Sequence, residues 1–124
     1  MKTMCISMMG LLMITTLAFG QAKDSKSLDV ILKNYLTALK SDNAGLRNSA
    51  LYQLVQLKAK YPDADLSACE KCIAQMSSKD KNTRVRINAG LALLGLQDAQ
   101  LPTKVKANDE QEPTKFFARL HQEI

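Results

Sequence analysis

The chain has one histidine, three cysteines and no tryptophan in 124 residues. These shortages exclude much chemistry. No H-E-x-x-H helix, no glycine-rich phosphate loop and no EF-hand loop occurs. His121 stands between Arg119 and Glu123 on a terminal segment and reads as a solvated side chain. Paired carboxylates are confined to Asp63/Asp65 and Asp109-Glu110/Glu112, positions suited to capping helices or solvating a linker. No segment is low in complexity. No cofactor and no metal is called for, and the chain is expected to be non-enzymatic.

The cysteines leave one motif, Cys69-Glu70-Lys71-Cys72. Ile73 follows it where covalent haem attachment needs His, and no second C-x-x-C or nearby His completes a four-ligand zinc site. Three readings stay open: packed thiols, a local disulfide favoured by export, or redox or metal chemistry at a helix N-terminus.

Long apolar runs are also scarce. The one near the start, Met8 to Phe19, is shorter than the ~18–20 residues needed to span a bilayer. It follows Lys2 and ends at Ala18-Phe19-Gly20, the layout of a signal peptide with small residues at −3 and −1. Residues 1–20 are therefore expected to be removed near Gly20/Gln21, leaving no stable membrane span and an exported protein, periplasmic or extracellular. Cys5 precedes the apolar core and is too early for a lipoprotein cysteine. The net charge of +5, to which Lys2 contributes one, is spread among both signs. That is a solvated surface. In an exported chain the expected partner is protein, not nucleic acid; anionic envelope polymers and lipid headgroups also fit the mild positive surplus.

What remains is helical. Leu28, Ile31, Leu32, Tyr35, Leu36 and Leu39 recur three and four apart after a capping Ser27. A second helix over about 44–60 has a buried row of Leu46, Ala50, Leu54 and Leu57, with Leu51 and Val55 beside it, and stops before Pro62. A third opens at Pro62-Asp63-Ala64-Asp65 and carries Leu66, Cys69, Ile73 and Met76. A fourth, near 83–97, carries Val85, Ala89, Leu93 and Leu96, flanked by Ile87, Gly90 and Leu94. A domain of this size buries perhaps 65% of its unfolded surface, so such patterning matters.

These are two copies of one helix pair. Leu46, Arg47, Ala50, Leu54 and Leu57 match Val85, Arg86, Ala89, Leu93 and Leu96 at an offset of 39. The first helices match at 38, Leu28 with Leu66 through Asp42 with Asp80, which places an added residue in the second turn. A helix–turn–helix period of that length marks a solenoid. Ala50, Ala89 and Gly90 offer small surfaces for close helix approach. Ser49 matches Asn88, so both read as helix-surface positions.

The segments LKSDNAGLRNSALYQLVQL and SKDKNTRVRINAGLALLGL resemble the turn and second helix of HEAT repeats. The resemblance covers about 27–98. It implies an all-α fold: a short right-handed α-solenoid of two HEAT-like units, 27–61 and 62–98, then a polar linker 99–112 and a C-terminal capping helix 113–124. It implies a scaffold that binds macromolecules, and it implies that Arg47 and Arg86 tie turns through acidic residues. The alternative for those arginines is a basic ridge with Lys58, Lys60, Lys81 and Arg84 facing an acidic partner. Two units are few for a solenoid, so its ends need covering, by the C-terminal helix or by self-association. Phe116, Phe117, Leu120 and Ile124 on that helix either pack on the last repeat or dock on a partner. The functional expectation is a non-catalytic protein-binding module; the alternatives are a thiol-based redox or metal-handling protein using Cys69 and Cys72, and an accessory subunit of an envelope enzyme.

Overall fold

The computed structural model describes residues 25–105 and 112–124. The expected leader, 1–20 with its cut near Gly20/Gln21, and linker residues 106–111 lie outside the described residues. The described residues fall into two units, 25–31 and those from 32 onward. In the first, 25–31 begin a helix on which Val30 is exposed.

The fold is all-α, a short helical-repeat arrangement, with no strand among the described residues. Its helices are α1 (Ser25–Leu39), α2 (Ala44–Lys60), α3 (Ser67–Lys79), α4 (Thr83–Gln97), α5 (Gln100–Thr103) and α6 (Pro113–Gln122). The bounds of α2 and α4 are those expected. Each follows an asparagine cap. Asn43 Oδ1 accepts the Leu46 N–H and Asn82 Oδ1 accepts the Val85 N–H, both at 3.1 Å. Such a cap satisfies an amide that the helix start leaves unpaired.

Three boundaries differ from expectation. Helix α1 starts at Ser25, so Ser27 lies inside its first turn instead of capping it. Helix α3 starts at Ser67, not at Pro62, because residues 62–63 form a turn and Asp65 accepts the Ser67 amide and hydroxyl. The first part of the expected linker is structured. Leu101, Pro102 and Val105 are buried, and α5 packs on α2 and α4.

In the body 32–124 the core is a layer in which α4 packs on both α3 and α2, and α6 covers α2 and α4 together. Leu51, Leu54, Val55, Ile73, Ala89, Ala92, Phe117 and Leu120 are fully enclosed. Helix α6 therefore lies across the second helices of both repeats instead of capping the last one. Phe116 meets Tyr52 edge to face at 5.0 Å and Phe117 at 5.3 Å. Edge-to-face pairs are favourable beyond their buried area. Ile124, expected on the apolar side of this helix, is exposed.

The expected apolar rows were also half-turned in places. Leu46 is 48% exposed while its counterpart Val85 is 2% exposed. The reason is position. Val85 has a preceding repeat against it and Leu46 has none among the described residues. Ile31, Ile87 and Leu94 are likewise exposed. The close helix approach occurs at Gly95, not Gly90. A methyl group on Gly95 would lie 3.1 Å from Val55 Cγ1 and 3.4 Å from Pro102 Cγ, whereas one on Gly90 would meet nothing within 4 Å.

Candidate functional site

The two turns are built alike. Asn43 N–H donates to Ser41 Oγ at 3.1 Å, and Asn82 N–H donates to Asp80 Oδ1 at 2.9 Å. Arg47 Nη1 donates to Ser41 O at 2.9 Å, and Arg86 Nη1 donates to Asp80 O at 2.8 Å. The residue equivalent to Asp80 is thus Ser41, not Asp42. The offset is 39 through the turn as well as the helix, and the extra residue lies before the turn, where α3 continues to Lys79.

Between the turns lies the main polar contact of this body. Arg47 grips Asp80 with two bonds, Nε to Oδ2 at 2.9 Å and Nη2 to Oδ1 at 2.8 Å. Both side chains are mostly buried, at 12% and 6% exposure. Burial disfavours the Asp80 carboxylate, but hydrogen bonds from Arg47 and the Asn82 amide, with the charges of Arg47 and Arg86, outweigh it and hold the carboxyl below its ordinary value. Among the described residues Arg86 hydrogen-bonds no carboxylate; its Nη2 reaches Thr83 Oγ1 at 3.3 Å. Beside the clasp, Asn88 Nδ2 donates to Asn48 Oδ1 at 2.7 Å, with both amides buried. Asn88 is therefore an interior group, against the expectation of a surface position. Its sequence signal was one polar residue on an apolar stripe in each helix, at positions the 39-residue register does not equate.

The expected basic ridge is not one surface. Lys58 Nζ donates to Ala64 O at 3.0 Å and closes the end of α2. Lys60 lies over the Tyr61 ring at 5.6 Å. At ~1.5 Å rise per residue these lysines sit roughly 17–20 Å along α2 from Arg47. Lys81 and Arg84 are exposed at the opposite end, beside the second turn. Phe116 and Phe117 are 1% and 0% exposed, so their rings face the interior of this chain.

Cys69 and Cys72 are free thiols. Cys69 is buried and its Sγ lies 3.9 Å from Leu32 O. Burial raises the Cys69 thiol above its ordinary value, helped by the charges of Cys72 and Glu70; burial also raises Cys72, against the pull of Lys40. Both shifts lower the thiolate fraction, the reverse of an activated cysteine. Among the described residues, no three His, Cys, Asp or Glu side chains cluster closely enough to hold a metal ion.

A groove of about 520 Å³ lies between α4 and α6. Ile87 and Leu91 of α4 and Ala118 of α6 form its apolar floor, and Arg84 and His121 stand in its wall with Thr83 and Thr114. The arrangement offers apolar contact beside the guanidinium of Arg84 and the imidazole of His121.

Fold and groove together define a small helical-repeat protein with a two-sided polar clasp between its turns. Comparison of the chain with protein-family models, with curated proteins and with solved structures gives no match. Among the described residues, no helix is long and apolar enough to cross a membrane.

Proposed function

We propose that this is a HEAT-like repeat module, exported to the periplasm or cell surroundings, that binds a partner protein and carries out no reaction. The observation that supports it best is the doubled turn: asparagine cap, arginine to the carbonyl six residues back, and one arginine–carboxylate clasp joining the copies. Such a device fixes the spacing of helices and performs no chemistry. The groove between α4 and α6 is the binding surface, and its occupant is an amphipathic acidic segment of the partner. Its apolar face would lie on Ile87, Leu91 and Ala118, and its carboxylates would meet Arg84 and His121.

The test is affinity capture from envelope extract with the wild type and with Arg84→Glu and Ala118→Glu, both exposed positions. The wild type is expected to retain a partner that both variants lose, with binding weakened steeply by salt. Equal capture by all three, or none by any, removes the groove from consideration. Intact mass of the purified protein checks export separately: a chain beginning at Gln21 is expected.

A further inference from the structure

The contact that joins the two repeats is also a template for what the ends of this body can bind. On α2, the face turned to the second repeat carries Arg47, Asn48, Leu51 and Val55, all buried or mostly buried. One repeat later the same positions are Arg86, Ile87, Gly90 and Leu94. Ile87 is 59% exposed, Leu94 is 42% exposed, and nothing lies within 4 Å of where a Gly90 methyl would be. Helix α4 thus shows solvent the face that α2 covers, and that face has become more apolar at Asn48→Ile87.

At the other end the complementary surface is present. The first turn and its flanking helices border a mostly apolar groove of about 620 Å³, lined by Thr37, Ala38, Lys40, Asp42 and Leu46 among others. In the second repeat the residue matching Leu46 is Val85, buried by α2 and its turn. Asp42 is exposed next to Ser41, which holds the place of Asp80. One end therefore carries an apolar ridge beside Arg86, which hydrogen-bonds no carboxylate among the described residues; the other carries an apolar groove whose rim holds the carboxylate of Asp42 beside Lys40.

We propose that the protein stacks head to tail on a second copy of itself, the ridge Ile87–Leu94 of one copy seated in the groove beside Leu46 of the next, with Arg86 facing Asp42. The contact repeats the apolar packing of α2 on α4, with the carboxylate one residue beyond the place of Asp80, and so rests on the repeat reading given above. It is heterologous: each copy uses one end and leaves the other free to bind again.

The experiment is sedimentation equilibrium on protein expressed from the full sequence, in a dilution series. Wild type is expected to show a mass that rises with concentration past two chains. Leu46→Glu and Leu94→Glu are each expected to stay at one chain, since each lacks one end. Mixed, they are expected to form two-chain species and nothing larger, because one intact ridge meets one intact groove. Should circular dichroism show a glutamate variant unfolded, Asp42→Arg and Leu94→Lys make the same test. A wild type that stays at one chain overturns the proposal. So does a mixture that stays at one chain, and so does self-association kept by the Leu46 variant alone, which would mean α4 on α4. Leu94 lies outside the groove between α4 and α6, so loss of stacking by Leu94→Glu with partner capture intact leaves the binding reading in place.

Discussion

Arg47 and Arg86 hold the same place in two copies of one motif, and each donates from Nη1 to the carbonyl oxygen six residues back. There the likeness stops. Arg47 also clasps a carboxylate on the next turn, whereas Arg86 turns back to Thr83 of its own helix. Helix α2 is enclosed on the side where α4 is open, so Val55 is fully buried and its counterpart Leu94 is not. The bond to the carbonyl belongs to the motif and needs nothing outside it. The clasp and the burial belong to the neighbour. A repeated sequence therefore specifies a repeated local geometry, while stability depends on which copy has something beside it.

Removing what the two helices share should have the largest effect. Phe116→Ala takes away the ring that touches Tyr52 and Phe117, and is expected to cost about 3–5 kcal/mol in urea unfolding. Next comes the clasp. Arg47→Ala strands a mostly buried Asp80 and is expected to cost roughly 2–3 kcal/mol, somewhat below the range for a fully buried pair. Arg86→Ala should cost under about 1 kcal/mol, since it loses hydrogen bonds and leaves no carboxylate behind; equal losses in the two variants would break the comparison.

The clasp also sets a pH dependence. The native Asp80 carboxyl is held below its ordinary value, so its stabilisation is complete above about pH 4, where the unfolded group is ionised. It is lost as pH falls through the lower native value. Thermal midpoints of the wild type should fall on that side, and Asp80→Asn should fall less over the same range. The smallest effect contrasts two glycines. Gly90→Ala meets open space and should stabilise by ~0.5–1 kcal/mol. Gly95→Ala must displace Val55 Cγ1 from 3.1 Å, so its midpoint should rise less or fall.

Much of this fold is legible in the letters. The spans of α2 and α4 follow from polar turns before an apolar period and from Pro62 after it. The repeat is legible because burial and capping are local demands on residue type. What the sequence did not reveal depends on neighbours. Leu46 looks like Val85 in any periodicity, and only a preceding repeat against Val85, with none against Leu46 among the described residues, separates 48% from 2% exposure. The register of the turns was misread because Asp42 resembles Asp80 in charge, while the hydrogen bonds equate Asp80 with Ser41. Lys58 and Arg47 look alike as cations, and only their bonds to Ala64 and Asp80 show them serving the chain itself. The groove beside Arg84 could not be anticipated, since it exists only because α6 lies over both repeats.

The buried amide pair of Asn48 and Asn88 has a consequence for the alternatives this chain must avoid. The surfaces of α2 and α4 around it are small and aliphatic, and such surfaces tolerate sliding. A slip of one helical turn, about 5.4 Å, would still bury leucine against alanine. It would also leave two buried amides without each other, at about 1–3 kcal/mol each. The pair contributes little to how tightly the helices hold and a great deal to where they stop.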